Sequence, residues 1–259
     1  VSAEDVKRVE IPIFSIEEQR KVVSTLKCAQ DLLKKREYAN HLANKLIQAV
    51  FLKMFDDPLT NPRGWKLLTL KQTVTDIRPG FAYGKYSAEE GIPHLRPFNI
   101  SKSGELYLGT MKFVPKEKAS EEYKLQLGDV IFNNTNSREL VGKTALINKN
   151  FEATFSNHIT RLRFDKEIVL PEYAGFLLNY FYHLGLFASM CKKWVNQAAV
   201  DTKQIQIIKL PVPPIELQNK FATIVDRLEE LKEKQSILTQ QIDGLFNSLM
   251  SEAYKGELV

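Results

Sequence analysis

The sequence predicts an α+β protein: a mixed, mostly antiparallel β domain with one packed helix, flanked by two long helices that form an antiparallel coiled coil. Three observations predict it. A proline-led segment followed by a helical apolar period occurs twice, at a constant offset of 199 residues. The stretch between the copies breaks into short apolar runs bounded by Gly, Pro, Asn and Ser, and the basic excess of the chain is confined to that stretch.

The duplication sets the order of elements. Ile11-Pro12-Ile13-Phe14-Ser15-Ile16-Glu17-Glu18-Gln19-Arg20-Lys21 aligns without gaps on Leu210-Pro211-Val212-Pro213-Pro214-Ile215-Glu216-Leu217-Gln218-Asn219-Lys220. One spacing of this length marks two copies of a large unit and not a solenoid. In each copy a proline-containing extended segment and an acidic residue suit a helix start. The second helix steps by three and four through Phe221, Ile224, Leu228, Leu231, Gln235, Leu238, Ile242, Leu245 and Leu249, which is coiled-coil spacing. The first places Val22, Thr25, Ala29, Leu32, Arg36, Ala39, Ala43, Leu46 and Val50 at the equivalent steps, a seam narrow enough for close approach of a partner helix. Arg36 and Gln235 share one step, and in an antiparallel pair they meet near the middle, where a polar contact fixes register. The alternative is that Arg36 extends to water. Helices of roughly 35 residues span about 50 Å, comparable to about 15 base pairs. The expected domains are residues 1–14, the tail of a preceding domain; 15–55, the first long helix; 56–209, the β domain; and 210–259, the second long helix.

In the middle stretch, the segment Asp57-Pro58-Leu59-Thr60-Asn61-Pro62-Arg63-Gly64-Trp65 ends the helical period with two prolines and a glycine. TLKQTVTDI, GIPHLRPFNI, ELYLGTMKFV, DVIFNNT, KTALINK and HITRLRF read as short strands. An amphipathic helix is expected from about Pro171 to Phe187, because Tyr173, Phe176, Leu177, Tyr180, Phe181 and Leu184 share a helical face.

With 259 residues, 44% hydrophobic and 26% charged, the chain can bury one sizeable core and carry an appended helical element. From Pro58 to Pro213 there are 21 Lys and Arg against 14 Asp and Glu, whereas the two ends together hold 15 against 17. A positive domain on neutral to slightly acidic supports suits a polyanion partner for that domain, although the same imbalance also serves solubility. No apolar stretch reaches the ~18 residues of a membrane span, and the segment VSAEDVKRVE is too charged for a secretory signal, so a cytoplasmic protein is expected. Cys28 and Cys191 stand apart, with no spacing that gathers a metal.

Several loops combine base-reading groups with cations. Asn133, Asn134, Asn136, Ser137 and Arg138 follow DVIF, with Lys143 just beyond. Arg78, Tyr83, Lys85 and Tyr86 lie in a Gly-containing loop with Arg96 downstream, and Lys192, Lys193, Asn196 and Gln197 surround Trp194. Asn and Arg match the adenine and guanine edges of the major groove, while lysines meet phosphates, which position without specifying. Asn and Ser clusters are also turn formers. His94 and His158 read as hydrogen-bonded histidines of the β domain and not as ligands.

The segment IPIFSIEEQRKVV, repeated as LPVPPIELQNKFA, and the run of DDPLTNPRGW, GDVIFN, SNHITRLRF and WVNQAAVDTKQIQIIKLPVP together resemble the specificity subunit of Type I restriction-modification enzymes over essentially the whole chain. The resemblance implies a target-recognition domain at 56–209 that reads one half of a split double-stranded DNA target. It implies long helices that separate two such domains and dock methyltransferase (modification) subunits, with a restriction or translocase subunit in the same complex. It implies no catalytic residue and no cofactor in this chain, since S-adenosylmethionine, ATP and magnesium belong to the partner subunits. Helix pairing would rest on Leu32, Arg36, Leu46, Leu228, Leu231, Gln235, Leu238, Ile242 and Leu245. Family members carry two recognition domains, so a chain with one is read as a C-terminal portion or as a half-type subunit that self-associates. Trp194-Val195-Asn196-Gln197 departs from the small residues and glycine that the family often has there. Two other readings stay open: Glu122-Tyr123-Lys124 with Asp76 or Asp129 has the residue types of a metal-dependent nuclease, and a coiled-coil scaffold would use the same helices without DNA.

Overall fold

The protein is described by a computed structural model covering residues 15–87, 89–193 and 198–255; the expected tail at 1–14 lies outside the described residues. Ser15 starts the first helix with a reciprocal cap, its Oγ accepting from Glu18 N at 3.3 Å while Glu18 Oε2 accepts from Ser15 N at 2.8 Å. Hydrogen bonds from the Ser15 side chain and backbone to the Glu18 carboxylate hold that carboxyl below its ordinary pKa. In chain order the elements are α1 (Ile16–Phe55), β1 (Lys66–Thr69), α2 (Leu70–Thr73), β2 (Val74–Pro79), β3 (Ile92–Leu95), β4 (Phe113–Val114), β5 (Val130–Asn133) and β6 (Thr135–Asn136). They continue as β7 (Thr144–Leu146), β8 (Thr154–Phe155), β9 (Ile159–Phe164), α3 (Pro171–His183), α4 (Leu186–Met190), β10 (Lys192–Lys193), β11 (Ala198–Ala199), α5 (Thr202–Gln206), β12 (Lys209–Val212) and α6 (Ile215–Lys255). No described helix is long and apolar enough to cross a membrane.

By its contacts the chain divides into two units, Val50–Val225 and the pair Val1–Ala49 with Asp226–Val259, so each long helix enters both. The first unit is the mixed α+β body. Its central sheet has the order β2-β9-β5-β7, antiparallel throughout, and three smaller sheets surround it: β1-β12, β10-β11-β6 and β4-β3-β8. Among the named strand pairs only β3 with β8 is parallel. The helix α3 lies on this sheet, with Gly175 against Leu146 and Val130. Its other side meets an aromatic cluster in which Phe51 and Phe55 from the end of α1, Tyr173 and Phe176 from α3, and Phe221 from the start of α6 stand 4.7–5.7 Å apart. Burying each such ring is worth roughly 1.5–3 kcal/mol, so the helix ends are fastened to the β body by their own aromatic residues.

Gln218 completes that fastening. It is fully buried, donates to the carbonyls of Pro213 at 2.8 Å and Ile168 at 3.1 Å, and accepts from Leu170 N at 2.8 Å. Its counterpart in the duplication, Gln19, is exposed.

Several expected elements are shorter than their hydrophobic patterns. TLKQTVTDI opens with the helical turn α2 because Thr69 and Gln72 form a cap, Thr69 N donating to Gln72 Oε1 at 2.9 Å. ELYLGTMKFV contributes only β4 and an isolated bridge between Ile100 and Leu106. The helix expected to reach Phe187 stops at His183, because Gly185 adopts a left-handed φ of 74° and restarts the chain as α4. Leu184 is consequently exposed, while Ala174 and Leu178 join the core.

In the helical unit the sheltered stripe differs from the expected seam. On α6, Leu228, Gln235, Ile242 and Leu249 are half-buried as expected, but the alternate steps are Lys232, Thr239 and Phe246. Leu231, Leu238 and Leu245 are exposed. On α1, Ala29 and Ile47 are buried and Leu33 half-buried, whereas Leu32 and Leu46 are exposed. The expected pairing role of these five leucines is therefore corrected: the phase of burial is one residue away from them. Arg36 is half-buried; no hydrogen bond joins it to Gln235 among the described residues, and Gln235 Oε1 is buried without a partner there.

Candidate nucleic-acid interface

The sequence-expected loops fall into two neighbouring places on the β body. The first is an open depression of about 620 Å³ lined by Tyr83, Tyr86, Arg96, Phe98, Asn157 and His158 among others. Its wall is built where β2 ends. Gly80 approaches the 155–156 backbone so closely that an added Cβ would stand 2.1 Å from Phe155 O, so only glycine fits. Phe81 N then donates to Phe155 O, and Asn157 N to Phe81 O, stitching the two loops together.

Within the depression Tyr83 and Tyr86 pack edge to face at 5.6 Å, and the Arg96 guanidinium lies over the Tyr86 ring, 5.7 Å from its centroid. Burial raises the Tyr86 hydroxyl pKa, so this group remains a neutral donor and acceptor. Beneath them His94 is fully buried between Phe81 and Tyr86, its Nδ1 2.8 Å from Thr154 Oγ1. Burial, reinforced by the Arg96 charge, depresses its pKa to about 4, so the ring is neutral. His94 is a core histidine as expected, though its Nε2 lacks a partner among the described residues. His158 instead lines the depression.

The second place is the corner after β5. Asn136 lies in β6, paired with Ala198 of β11, and β11 pairs in turn with β10. The sheet thus joins two of the expected loops through their backbones. Asn196 and Gln197 lie outside the described residues, and Lys192 and Lys193 are described only as backbone. Arg138 is exposed and donates from Nε to Ala188 O at 3.1 Å; Asn136 Oδ1 accepts from Ser137 N. Lys85 is exposed, while Arg78 donates to Glu122 Oε2 at 2.6 Å.

Three expected contact residues are corrected. Asn133 is fully buried and donates to Leu140 O. Asn134 is buried and donates to Asn157 O at 3.1 Å and Thr160 Oγ1 at 2.9 Å, while accepting from Thr135 Oγ1 at 2.8 Å. Lys143 is only 6% exposed, with its ammonium bonded to the carbonyls of Pro97 and Ile100. Each donates to backbone carbonyls that close a corner, as buried donors do, while Asn133 Oδ1 is buried without a partner among the described residues. Asn134 also links the two places, since it holds the 157 carbonyl at the rim of the depression.

The carboxylates of the nuclease reading are dispersed into ion pairs. Asp76 meets Arg161 at 2.5 Å, Asp129 receives Arg163 through two bonds of 2.7 and 2.8 Å, and Glu122 pairs with Arg78. Lys124 is held by Glu121 and Glu152. No group of three or more metal-ligating side chains comes together among the described residues.

Comparison with known proteins decides the family. Residues 98–242 match the family described as the Type I restriction modification DNA specificity domain. The chain belongs to that family. Among its relatives, the type I restriction enzyme EcoKI specificity subunit of Escherichia coli is 25% identical over 207 residues, covering 76% of this chain and 44% of the relative. The MjaVIII specificity subunit of Methanocaldococcus jannaschii is 24% identical over 282 residues, covering 97% and 63%. A crystal structure of the S subunit of a Type I restriction-modification system from M. genitalium shares the fold, with a TM-score of 0.63 at 15% identity, covering 98% of this chain and 65% of that one. The chain spans between 40% and 63% of the length of such curated relatives. For this specificity-family chain, Phe98 and Asn157 are lining residues that sequence reasoning did not single out, and His158, read as a hydrogen-bonded histidine of the β domain, lines the depression with them. The signal available was the run RPFN, in which proline before an aromatic and an asparagine marks a turn and not a strand.

Proposed function

We propose that this chain is a DNA-reading specificity subunit of a Type I restriction-modification complex, whose body at 56–209 is a target-recognition domain for one half of a bipartite site. The observation that carries the reading is the depression, where an edge-to-face tyrosine pair, a guanidinium and side-chain amide and imidazole groups converge on the basic domain of a DNA-specificity family member. Such a surface can hold phosphates by charge and base edges by hydrogen bonds. The chain contributes recognition without chemistry; methyl transfer, ATP use and cleavage belong to other subunits.

Docking of methyltransferase subunits is assigned to the long helices. Leu231, Leu238 and Leu245 recur every seven residues on the exposed side of α6, and Leu32 and Leu46 occupy the equivalent places on α1. A heptad of exposed leucines is the surface a further helix would cover. Leu231→Glu with Leu245→Glu is expected to abolish co-purification with the methyltransferase subunit while leaving the melting temperature of the chain unchanged.

The DNA reading is tested by fluorescence anisotropy of the 259-residue chain with a 30-base-pair duplex pool across a NaCl series. The expected result is binding whose log–log salt slope is steeper than about −3, the signature of several phosphate contacts. A salt-insensitive or absent interaction would assign the chain to scaffolding.

A further inference from the structure

Beside the depression one aromatic ring stands out from the surface. Phe98 is 61% exposed, on a 3-10 turn formed by Pro97–Asn99. A single exposed phenylalanine is unremarkable on a protein surface; what sets this one apart is how its turn is held. Asn99, fully buried below it, accepts from Arg96 N at 2.9 Å and donates to the carbonyls of Tyr107 at 2.8 Å and Thr110 at 3.3 Å. The buried Lys143 ammonium bridges Pro97 O and Ile100 O, the carbonyls on either side of the ring. Pro97 fixes its own φ, and Tyr107 meets the Phe98 ring edge to face at 5.5 Å and 80°.

Burying an ammonium is a costly way to close a turn, since the charge loses its water and is returned only carbonyl dipoles. Here that cost fixes the place and direction of an apolar ring that the protein core does not use. Preorganisation of this kind serves a ring that must enter a partner without losing entropy at that moment. The partner class follows from the surroundings. The projecting ring is bordered by Arg96 and by the amide and imidazole of Asn157 and His158, polar groups that a purely apolar protein surface would leave unpaired. A base stack offers both an apolar slot between its steps and an anionic, hydrogen-bonding rim.

We propose that Phe98 is a wedge that inserts between two adjacent base pairs of the bound duplex, opening one step of the target while the depression receives the adjoining nucleotides of one strand. This rests on the DNA-reading function proposed above. Phenylalanine is among the apolar side chains able to unstack a step, and the energy of opening it depends on the sequence of that step. The wedge would therefore contribute to sequence choice without a hydrogen bond to a base.

The test uses the 259-residue chain and a duplex recovered by its own selection from a randomised pool. In that duplex 2-aminopurine replaces one base at a time. The wild-type chain is expected to raise the 2-aminopurine emission severalfold at one step and to leave the others near their free-duplex values. Phe98→Ala should abolish the rise and weaken the selected duplex about tenfold, with unselected DNA bound as before. Phe98→Leu, which keeps an apolar wedge, should restore most of the rise. Because Phe98 is largely exposed, these variants keep the wild-type fold. Binding of the selected duplex with no emission change at any step overturns the wedge and leaves the DNA reading intact. An emission change that survives Phe98→Ala overturns the assignment to Phe98, as does a Phe98→Ala defect confined to binding another protein. Failure to recover any duplex overturns the DNA-reading function and the wedge with it.

Discussion

Replacing Asn134 by alanine separates a structural asparagine from a base-reading one. In the structure its amide makes three side-chain hydrogen bonds, two donated to Asn157 O and Thr160 Oγ1 and one accepted from Thr135 Oγ1. Each such bond contributes about 1 kcal/mol net; the carbonyl of the exposed Asn157 can turn to water and the threonine hydroxyls can rotate to other partners, so the loss is that of the three bonds. The expected destabilisation is about 2–3 kcal/mol. For a body of this size 1 kcal/mol moves the melting temperature by about 2–4 °C, so Asn134→Ala should melt about 5–10 °C below the wild type. Near-UV circular dichroism is the suitable assay, because it follows the aromatic packing of the β body. Below the transition the variant should select the same DNA sequence as the wild type. A melting temperature within about 1 °C of wild type, combined with a relaxed position in the selected sequence, would refute the reasoning and return Asn134 to base reading.

The duplicated glutamines should respond unequally: Gln218→Leu breaks the three hydrogen bonds of a buried amide and is expected to cost about 2–4 kcal/mol in urea unfolding, whereas Gln19→Leu, on an exposed face, should stay within about 0.5 kcal/mol. His94 should make the β body acid-sensitive. Its folded pKa of about 4 lies below the 6.5 of the free side chain, so the unfolded state binds the extra proton between those values; stability is complete above pH 6.5 and declines toward pH 4, and His94→Gln should flatten that part of the melting-temperature profile. Lys85→Ala, at the exposed edge of the depression's loop, should lower the magnitude of the DNA salt slope by about 1 and leave the selected sequence unchanged.

The architecture was legible because the duplication constrains it twice. Pro211, Ile215 and Gln218 repeat Pro12, Ile16 and Gln19, and both helices start where that motif places them. What the motif does was not legible. Two of the three hydrogen bonds of buried Gln218 go to the 168–170 loop, a tertiary contact that leaves no local trace. The helix seam was misplaced for a related reason. Leucines stood on two adjacent flanks of α6, and spacing by three and four fits either; the sheltered flank runs through Leu228, Lys232, Gln235 and Thr239, in phase with the aromatic anchor Phe221.

At the candidate site, Tyr83, Tyr86 and Arg96 were found because cations and aromatic residues cluster in sequence as they do in space. Asn133, Asn134 and Lys143 were misjudged because polarity alone does not distinguish a side chain that faces solvent from one that satisfies a buried backbone corner. The neighbouring apolar strands β5, β7 and β9 were the available warning, since a polar residue at the end of a fully buried strand is drawn into the core with it. Phe98 was missed because its run was read as part of a strand, whereas Arg96, Pro97 and Asn99 turn the chain there.

The central claim, that the body at 56–209 reads half of a DNA target, is tested most directly by sequencing the duplexes that the purified chain retains from a randomised pool. The account predicts enrichment of one short contiguous motif, with that enrichment reduced by Phe98→Ala and unaffected by Leu231→Glu. Retention of DNA with no enriched motif, or an enrichment lost only when the helix leucines are changed, would contradict it.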